Sequence, residues 1–279
     1  MPSEDMAVPR NSGLALRADL MSRERSDQRC LVNAVVFSLL LIAAAILALY
    51  PDSFNRPLAR AVNSVTRDQH FASMLAFGLT YPALQGVIVV SLLWYCWFST
   101  LTAELRGRVM SGILAAVVAA VFAFLLQRTL STSPKPIFDP VLEFQLPASL
   151  GDLGAGSTTS FPNSHTFPSE RATMFAGLAI AVFLIRPKIG LVALASTMVV
   201  EMSRIDLGLH YPTDIIGSVS LAAAMVWLAQ MRWGLELGLR FVRWEKTSAS
   251  TFYMCAYFAC YEMTTTFQDL RDITAQLLR

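Results

Sequence analysis

Charged residues are scarce in this chain. Aspartate, glutamate, lysine and arginine make up 15% of its 279 residues, while hydrophobic residues make up 54% and the mean hydropathy is +0.50. Soluble domains contain about 25% charged residues, so the composition predicts an integral membrane protein. The formal net charge is only +2, which gives little electrostatic basis for binding nucleic acid.

Residue types that build metal and redox sites are also rare. The chain has three histidines and four cysteines, and the cysteine spacing matches neither a zinc site nor a thioredoxin-like motif. We interpret Cys255 and Cys260 as packing residues rather than a redox pair. Neither a metal ion nor a cofactor is expected. The first apolar run begins too late and extends too far to be the h-region of a cleavable signal peptide.

Six apolar runs account for most of the hydrophobic residues. A hydrocarbon core of about 30 Å requires roughly twenty apolar residues per helix. The runs are residues 31–50, 84–98, 109–127, 169–185, 189–202 and 215–230. They predict an all-α fold, a polytopic membrane helical bundle of about six transmembrane helices. The expected division is a flexible cytoplasmic tail (1–30), a six-span domain (31–231) and a cytoplasmic C-terminal tail (232–279) that forms an amphipathic helix.

Basic residues favour one orientation of this bundle. They occur in the N-terminal tail, in the short connections at 106–108 and 186–188, and after residue 231. Short loops rich in lysine and arginine tend to stay in the cytoplasm, so both termini are expected there. Residues 128–168 and 203–214 would then face the opposite side. A further helix is expected at 69–81, lying along the interface with His70 as an interfacial or capping residue.

One polar stretch, residues 201–214, gathers a cation, a hydroxyl, an imidazole and a carboxylate between two apolar runs. Proline is tolerated in the first turn of a helix, so Pro212 predicts a helix start near Tyr211. His210 then lies at the helix start and Asp214 one turn further in. There the carboxylate can orient one ring nitrogen and leave the other as a nucleophile or base. The alternative is a polar loop that contains an ordinary hydrogen-bonded histidine.

Two further polar residues precede the histidine in this stretch. Arg204 offers a planar fork suited to phosphate, and Ser203 a hydroxyl donor. The pattern Ser203-Arg204-(five residues)-His210-(three residues)-Asp214 resembles the third signature of the type-2 phosphatidic acid phosphatase superfamily, at all four defined positions. That superfamily contains membrane lipid phosphatases and soluble vanadium haloperoxidases, and the predicted spans exclude the latter. The resemblance implies that His210 attacks phosphorus and becomes phosphohistidine, that Asp214 holds its ring, and that Arg204 binds phosphate oxygens.

The first signature of that superfamily is Lys-(six residues)-Arg-Pro. This chain has Arg128-(six residues)-Lys135-Pro136, which preserves the spacing and exchanges the two cations. By itself, Arg128 would be interpreted as a helix-end arginine whose charged group reaches toward the interface. The resemblance implies instead that Arg128 and Lys135 bind phosphate, although lysine and arginine differ in fork geometry.

The second signature, Pro-Ser-Gly-His, is where the chain departs from the family. The two candidate segments are Pro162-Asn163-Ser164-His165 and Pro168-Ser169-Glu170-Arg171. A helix that began at Asn163 would carry Pro168 beyond its first turn, where proline is costly. A start near Pro168 places Ser169 near the cap. We therefore predict that the helix N-terminus at residues 169–171 receives phosphate and that Arg171 occupies the family's histidine position.

His165 lies just before that helix and is the candidate general acid, because Arg171 stays charged and is a poor proton donor. The alternative is an ordinary loop histidine. A displaced alkoxide needs a proton at once, whereas displaced phosphate is a weaker base. The weakened acid therefore favours a pyrophosphate-headed lipid, such as undecaprenyl pyrophosphate, over a phosphatidic-type monoester.

The sequence as a whole predicts an integral-membrane phosphatase that hydrolyses a lipid-linked phosphate or pyrophosphate without a metal ion. Its site would face the periplasm of a bacterial inner membrane or the exterior, with a membrane lipid as substrate. Arg128, Lys135, Ser169 and Arg204 would hold the phosphoryl oxygens. One alternative is a phosphotransferase, in which a lipid or sugar hydroxyl replaces water. Another is a protein that binds or transports a phosphate head group without catalysis.

Overall fold

The computed structural model describes residues 11–65, 82–99, 102–130, 132–139, 141–142 and 165–277. Within these ranges the regular structure is entirely helical, which confirms the predicted all-α fold. In chain order the helices are α1 (Asn11–Leu49), α2 (Asn55–Val65), α3 (Pro82–Phe98), α4 (Ala103–Thr129), α5 (Glu170–Ile185), α6 (Pro187–Asp206), α7 (Pro212–Ala229), α8 (Arg232–Thr247), α9 (Ala249–Thr265) and α10 (Gln268–Leu277). A short 3₁₀ turn, Pro136–Phe138, lies between α4 and α5.

Helix α5 lies at the centre of the bundle, in contact with α3, α4, α6 and α7. All of its residues from 172 to 182 are buried. Small residues let α4 approach it closely, since a Cβ added to Gly177 would lie 2.7 Å from the Cβ of Ala116. Small side chains at facing positions are typical of helix contacts in membranes. The neighbouring helices thus fix α5, and with it the position of its N-terminus.

The outer helices present apolar side chains to the surroundings. Helix α1 packs along α7 and leaves large residues such as Leu39 and Ile42 exposed. Three described helices are long and apolar enough to cross a membrane: Met21–Leu49, Ala103–Thr129 and Pro212–Ala229. Such a surface is suited to lipid, and the protein is an integral membrane protein. The expected number of six spans stays a prediction.

Both ends of the chain differ from the sequence-based expectation. Helix α1 begins at Asn11, so residues 11–30, expected to be a flexible tail, are helical. Residues 232–277 form three helices rather than a single amphipathic one. The reason is packing: α8 contacts α4 and α9 contacts α3, where Phe252 stacks on the buried Trp97. The expected interfacial helix at 69–81, with His70, and residues 143–164 lie outside the described ranges.

Helix α4 separates two polar ends of the bundle. Its 27 residues span about 40 Å at 1.5 Å per residue. Near its N-terminus, Arg106 forms an ion pair with Glu245 of α8 at 3.2 Å. Its C-terminus leads into the segment that carries Lys135. The basic helix α8 and the predicted phosphate-binding residues therefore lie at opposite ends of the bundle.

Candidate active site

The connection between α6 and α7 is a tight loop. Gly208 has a φ of 69°, in the left-handed region that glycine adopts without steric cost. The N–H of Leu209 donates to the carbonyl of Arg204 at 2.9 Å. The chain thereby turns back on the last turn of α6, which brings Arg204 and His210 side by side.

Asp214, in the first turn of α7, contacts both residues that precede the helix. Its Oδ2 accepts a hydrogen bond from the N–H of Tyr211 at 2.7 Å and lies 3.5 Å from Nδ1 of His210. The second distance exceeds that of a normal hydrogen bond, and catalytic hydrogen bonds are often long before substrate binds. Helix α7 begins at Pro212 with Tyr211 as its N-cap, as the sequence predicts.

The other ring nitrogen of His210 faces an arginine and a serine. Nε2 lies 3.0 Å from Nη2 of Arg204 and 3.3 Å from Oγ of Ser169. Because a guanidinium stays protonated and can only donate, Nε2 accepts this hydrogen bond and Nδ1 carries the ring proton. This tautomer places the nucleophilic lone pair on Nε2 and turns an N–H toward the Asp214 carboxylate.

Burial and charge determine the protonation of His210. The residue is 5% exposed, and burial lowers its pKa below the ordinary value of 6.5. The Asp214 carboxylate raises the pKa, because it favours the imidazolium. The positive charge of Arg204 lowers the pKa further. The pKa is lowered overall, so the ring is neutral at pH 7 and its lone pair is available.

Ser169 caps the central helix where it faces His210. Helix α5 begins at Glu170, and Oγ of Ser169 accepts a hydrogen bond from the N–H of Ala172 at 3.4 Å. The carbonyl of Ser169 accepts from the hydroxyl of Ser218 on α7 at 3.0 Å. The predicted helix start is therefore confirmed, and α7 holds this end of α5. First-turn N–H groups at such an end are common donors to phosphate.

Lys135 is connected to the site through the 3₁₀ turn that follows it. The N–H of Ile137 donates to the carbonyl of Gly208 at 2.9 Å, so the turn is bonded to the loop before His210. Burial lowers the pKa of Lys135, and the positive charge of Arg204 lowers it further. The second effect places the two cations within electrostatic reach of each other. An anion bound between them would relieve their repulsion.

Two predicted phosphate ligands have other partners. Arg128 is exposed, and its guanidinium carbon lies over the ring of Phe124, 4.3 Å from the ring centroid. Ser203 is buried, and its hydroxyl donates to the carbonyl of Val199 at 2.9 Å. A hydroxyl has one hydrogen to donate, so Ser203 is not available as a phosphate donor in this arrangement. No described hydrogen bond or ion pair joins Arg128 to His210.

The residues at the altered second signature contact other segments. Nδ1 of His165 lies 2.5 Å from the carbonyl oxygen of Thr132, and because a carbonyl only accepts, this nitrogen is the donor. Nε of Arg171 donates to Oγ1 of Thr266 at 3.1 Å. These contacts link His165 to the segment after α4 and Arg171 to the end of α9.

Two buried carboxylates beside the site escape sequence reasoning. Glu201 is 2% exposed, and its Oε2 lies 3.7 Å from Nε of Arg204. It is the only charged residue within residues 189–203, and this sequence signal could have identified it. Asp139 accepts a hydrogen bond from the hydroxyl of Tyr211, the residue after His210, and no sequence pattern indicates this contact. Within the described ranges, no three histidine, cysteine, aspartate or glutamate side chains form a group that could hold a metal ion.

Comparisons with known proteins relate the part of the chain that carries this site to one family. A model of the PAP2 superfamily matches residues 109–235, a range that contains every residue named above as a predicted site residue. The chain is also similar to a transmembrane PAP2-type phosphatidylglycerolphosphate phosphatase from Bacillus subtilis, known from its crystal structure. That match has 16% sequence identity and a TM-score of 0.44, and it covers 70% of this chain and 93% of the other. No curated protein matches the chain. The match to the PAP2 superfamily thus extends over residues 109–235, a little under half of the chain.

Proposed function

We propose that the protein is a membrane lipid phosphatase in which His210 is the nucleophile. The observation that carries the proposal is the environment of the buried ring. Nδ1 faces the Asp214 carboxylate at 3.5 Å, while Nε2 faces Arg204 at 3.0 Å and Ser169 at 3.3 Å. An imidazole oriented by a carboxylate, with cationic and hydroxyl groups on its other side, is suited to phosphoryl transfer. The match of residues 109–235 to the PAP2 superfamily supports a phosphoric ester hydrolase.

In the first step, Nε2 of His210 attacks phosphorus in line with the leaving oxygen. A P–N bond forms as the P–O bond to the leaving group breaks. Arg204 donates to Nε2 before substrate binds, so its guanidinium turns from the ring to the phosphoryl oxygens as the complex forms. Lys135, Ser169 and the N–H groups at the start of α5 supply the other donors. Asp214 stabilises the positive charge that develops on the ring.

As the P–O bond breaks, the leaving oxygen takes a proton from His165 or from water. In the second step, water attacks phosphorus and passes a proton to His165 or to solvent, the P–N bond breaks and phosphate leaves, which restores the lone pair on Nε2. We place Arg171 at the histidine position of the second signature, and because it stays charged, the proposed site has a weak general acid. A displaced phosphate tolerates that better than an alkoxide does. We therefore propose a polyprenyl pyrophosphate as the favoured substrate.

The proposed orientation places this chemistry on the non-cytoplasmic side of the membrane. Exposed basic residues lie on α8, at the end of α4 remote from Lys135; they are Arg232, Arg240, Arg243 and Lys246. Short basic segments near spans tend to remain cytoplasmic. A lipid that enters sideways from the outer leaflet can then present its head group to His210 while its chains stay in the bilayer.

The test is release of phosphate by purified protein from three substrates: phosphatidic acid, phosphatidylglycerol phosphate and undecaprenyl pyrophosphate. We expect release from at least one, with the pyrophosphate turned over fastest. His210→Gln removes the nucleophile and should abolish release, whereas His70→Gln, which changes a histidine outside the three signatures, serves as the matched control. A wild-type protein that binds these lipids and releases no phosphate would instead be a head-group binding protein.

A further inference from the structure

Asp139 is a buried carboxylate with an unusually full set of donors. It is 4% exposed and lies four residues after Lys135. Its Oδ2 accepts from Nε of Arg56 at 2.8 Å and from the hydroxyl of Tyr211 at 2.9 Å. Its Oδ1 accepts from Nη2 of Arg56 at 3.3 Å and from the N–H of Val141 at 3.1 Å. The carboxylate is therefore satisfied in one geometry, which fixes its position.

The donors belong to segments that are far apart in the sequence. Arg56 lies on α2, 83 residues before Asp139, and Tyr211 lies 72 residues after it. Tyr211 follows His210 directly and also donates its N–H to Asp214. The carboxylate thus connects the segment that carries Lys135 to the residue beside the proposed nucleophile.

Helix α2 holds the same region through two further contacts. Oδ1 of Asn55 accepts from the hydroxyl of Thr213 at 2.9 Å and from its N–H at 3.4 Å, both in the first turn of α7. Nδ2 of Asn63 donates to the carbonyl of Asp206 at 3.3 Å, at the end of α6. The loop that carries His210 is therefore supported at both of its ends, and Arg56 adds the connection to Asp139.

The chemistry of this cluster suits positioning rather than proton transfer. Burial raises the pKa of Asp139, but the hydrogen bonds from Arg56, Val141 and Tyr211 lower it to below its usual range overall. Burial raises the pKa of Tyr211, and its hydrogen bond to Asp139 raises it further. Tyr211 is 1% exposed. Asp139 therefore stays ionised and Tyr211 stays protonated across the working pH range, so neither exchanges a proton with substrate.

Resting on the phosphatase function proposed above, we infer that Asp139, Tyr211 and Arg56 form a positioning cluster that sets the separation of Lys135 from His210. Lys135 binds the phosphoryl group and His210 attacks it, so their separation decides whether the attack is in line. Small displacements of such groups reduce turnover strongly. Loss of the cluster should therefore lower kcat, while KM changes little because Arg204 and the α5 N-terminus still hold the head group.

The chain offers a matched control at the other end of the bundle. There Glu245 accepts from the hydroxyl of Tyr253 at 2.5 Å and from Arg106 at 3.2 Å. Tyr211→Phe and Tyr253→Phe thus remove the same hydroxyl from the same kind of tyrosine–carboxylate–arginine cluster. Both should lower the melting temperature by a similar amount. Only Tyr211→Phe should reduce kcat, by about tenfold, which corresponds to about 1.4 kcal/mol.

The experiment measures kcat, KM and melting temperature for the wild type, both tyrosine variants, Asp139→Asn, Arg56→Lys and the double variant Asp139→Asn/Tyr211→Phe. If the two residues act through each other, the double variant is no slower than Asp139→Asn alone. Should Asp139→Asn fail to fold, Tyr211→Phe and Arg56→Lys still decide the matter. An active wild type with Tyr211→Phe as fast as Tyr253→Phe overturns the positioning role and leaves the phosphatase function standing. A wild type that releases no phosphate overturns both.

Discussion

Replacing Asp214 by asparagine isolates the charge of the carboxylate from its geometry. A single oxygen, Oδ2, accepts the Tyr211 N–H at 2.7 Å and faces Nδ1 of His210 at 3.5 Å. The side-chain carbonyl of asparagine can occupy the same position, so the helix start is retained and only the negative charge is lost. Asp214→Ala, in contrast, also leaves the buried N–H of Tyr211 without its acceptor, which costs roughly 1–3 kcal/mol of stability.

The expected loss in kcat follows from the distance between the Asp214 carboxylate and the His210 ring. A full positive charge 3.5 Å from the carboxylate is stabilised by about 5 kcal/mol at an effective dielectric constant of about 20. If somewhat less than half of that charge has developed in the transition state, Asp214→Asn costs about 2 kcal/mol, or about 30-fold in kcat. The measurement is steady-state phosphate release combined with thermal unfolding, with Glu245→Gln as the control for loss of a buried carboxylate. A kcat for Asp214→Asn within twofold of wild type would refute the proposed role of Asp214.

Three further predictions concern the cations and the two histidines. Lys135→Gln should reduce kcat/KM by about 100-fold, the usual cost of losing one transition-state donor. Arg128→Gln should keep kcat/KM within about threefold of wild type, because the guanidinium of Arg128 stacks on Phe124. Equal losses in the two variants would contradict this distinction. The value of kcat/KM should rise with pH as His210 loses its proton, with a midpoint below 6.5, and Arg204→Gln should move that midpoint upward because Arg204 lowers the pKa of His210. Comparing wild type and Arg204→Gln on the same substrate cancels the ionisation of the substrate itself. A pH midpoint that does not move would count against the contact between Arg204 and His210. His165→Ala should slow a phosphate monoester more than a pyrophosphate, since only the monoester releases an alkoxide; equal slowing would exclude His165 as the acid.

The features that the sequence predicted well depend on residues that are close together in the chain. Proline is accepted only in the first turn of a helix, so Pro168 and Pro212 located the beginnings of α5 and α7 to within two residues. The spacing from Arg204 to His210 spans one glycine-containing turn, which brings the two side chains together without help from distant segments. These rules involve neighbours in sequence and therefore need no knowledge of the fold.

Contacts between distant segments were beyond sequence reasoning. Nothing in the neighbourhood of Arg56 indicates that it pairs with Asp139, 83 residues later, because only the packing of α2 against α6 and α7 brings them together. The spacing of Ser203 suggested a phosphate donor, yet a buried hydroxyl on a helix can satisfy itself on the preceding turn, as Ser203 does at Val199.

The three helices of the C-terminal region escaped the sequence prediction for a related reason. Its mixed composition hides an apolar face, and a helix that packs against protein needs only a stripe of apolar residues rather than a continuous run. Phe252 of α9 is buried against Trp97 of α3, although its neighbours in sequence are polar or half-buried. A helix of that kind is recognised only once its partner helix is known.

Capture of the phosphoryl-enzyme shows directly whether His210 is the nucleophile. Purified protein is mixed with substrate labelled in its terminal phosphate, quenched in alkali, under which phosphohistidine survives, and digested for mass spectrometry. We expect label on His210 in the wild type, more label when the second step is slowed, and no label in His210→Gln. Label on any other residue, or phosphate release by His210→Gln at the wild-type rate, would contradict it.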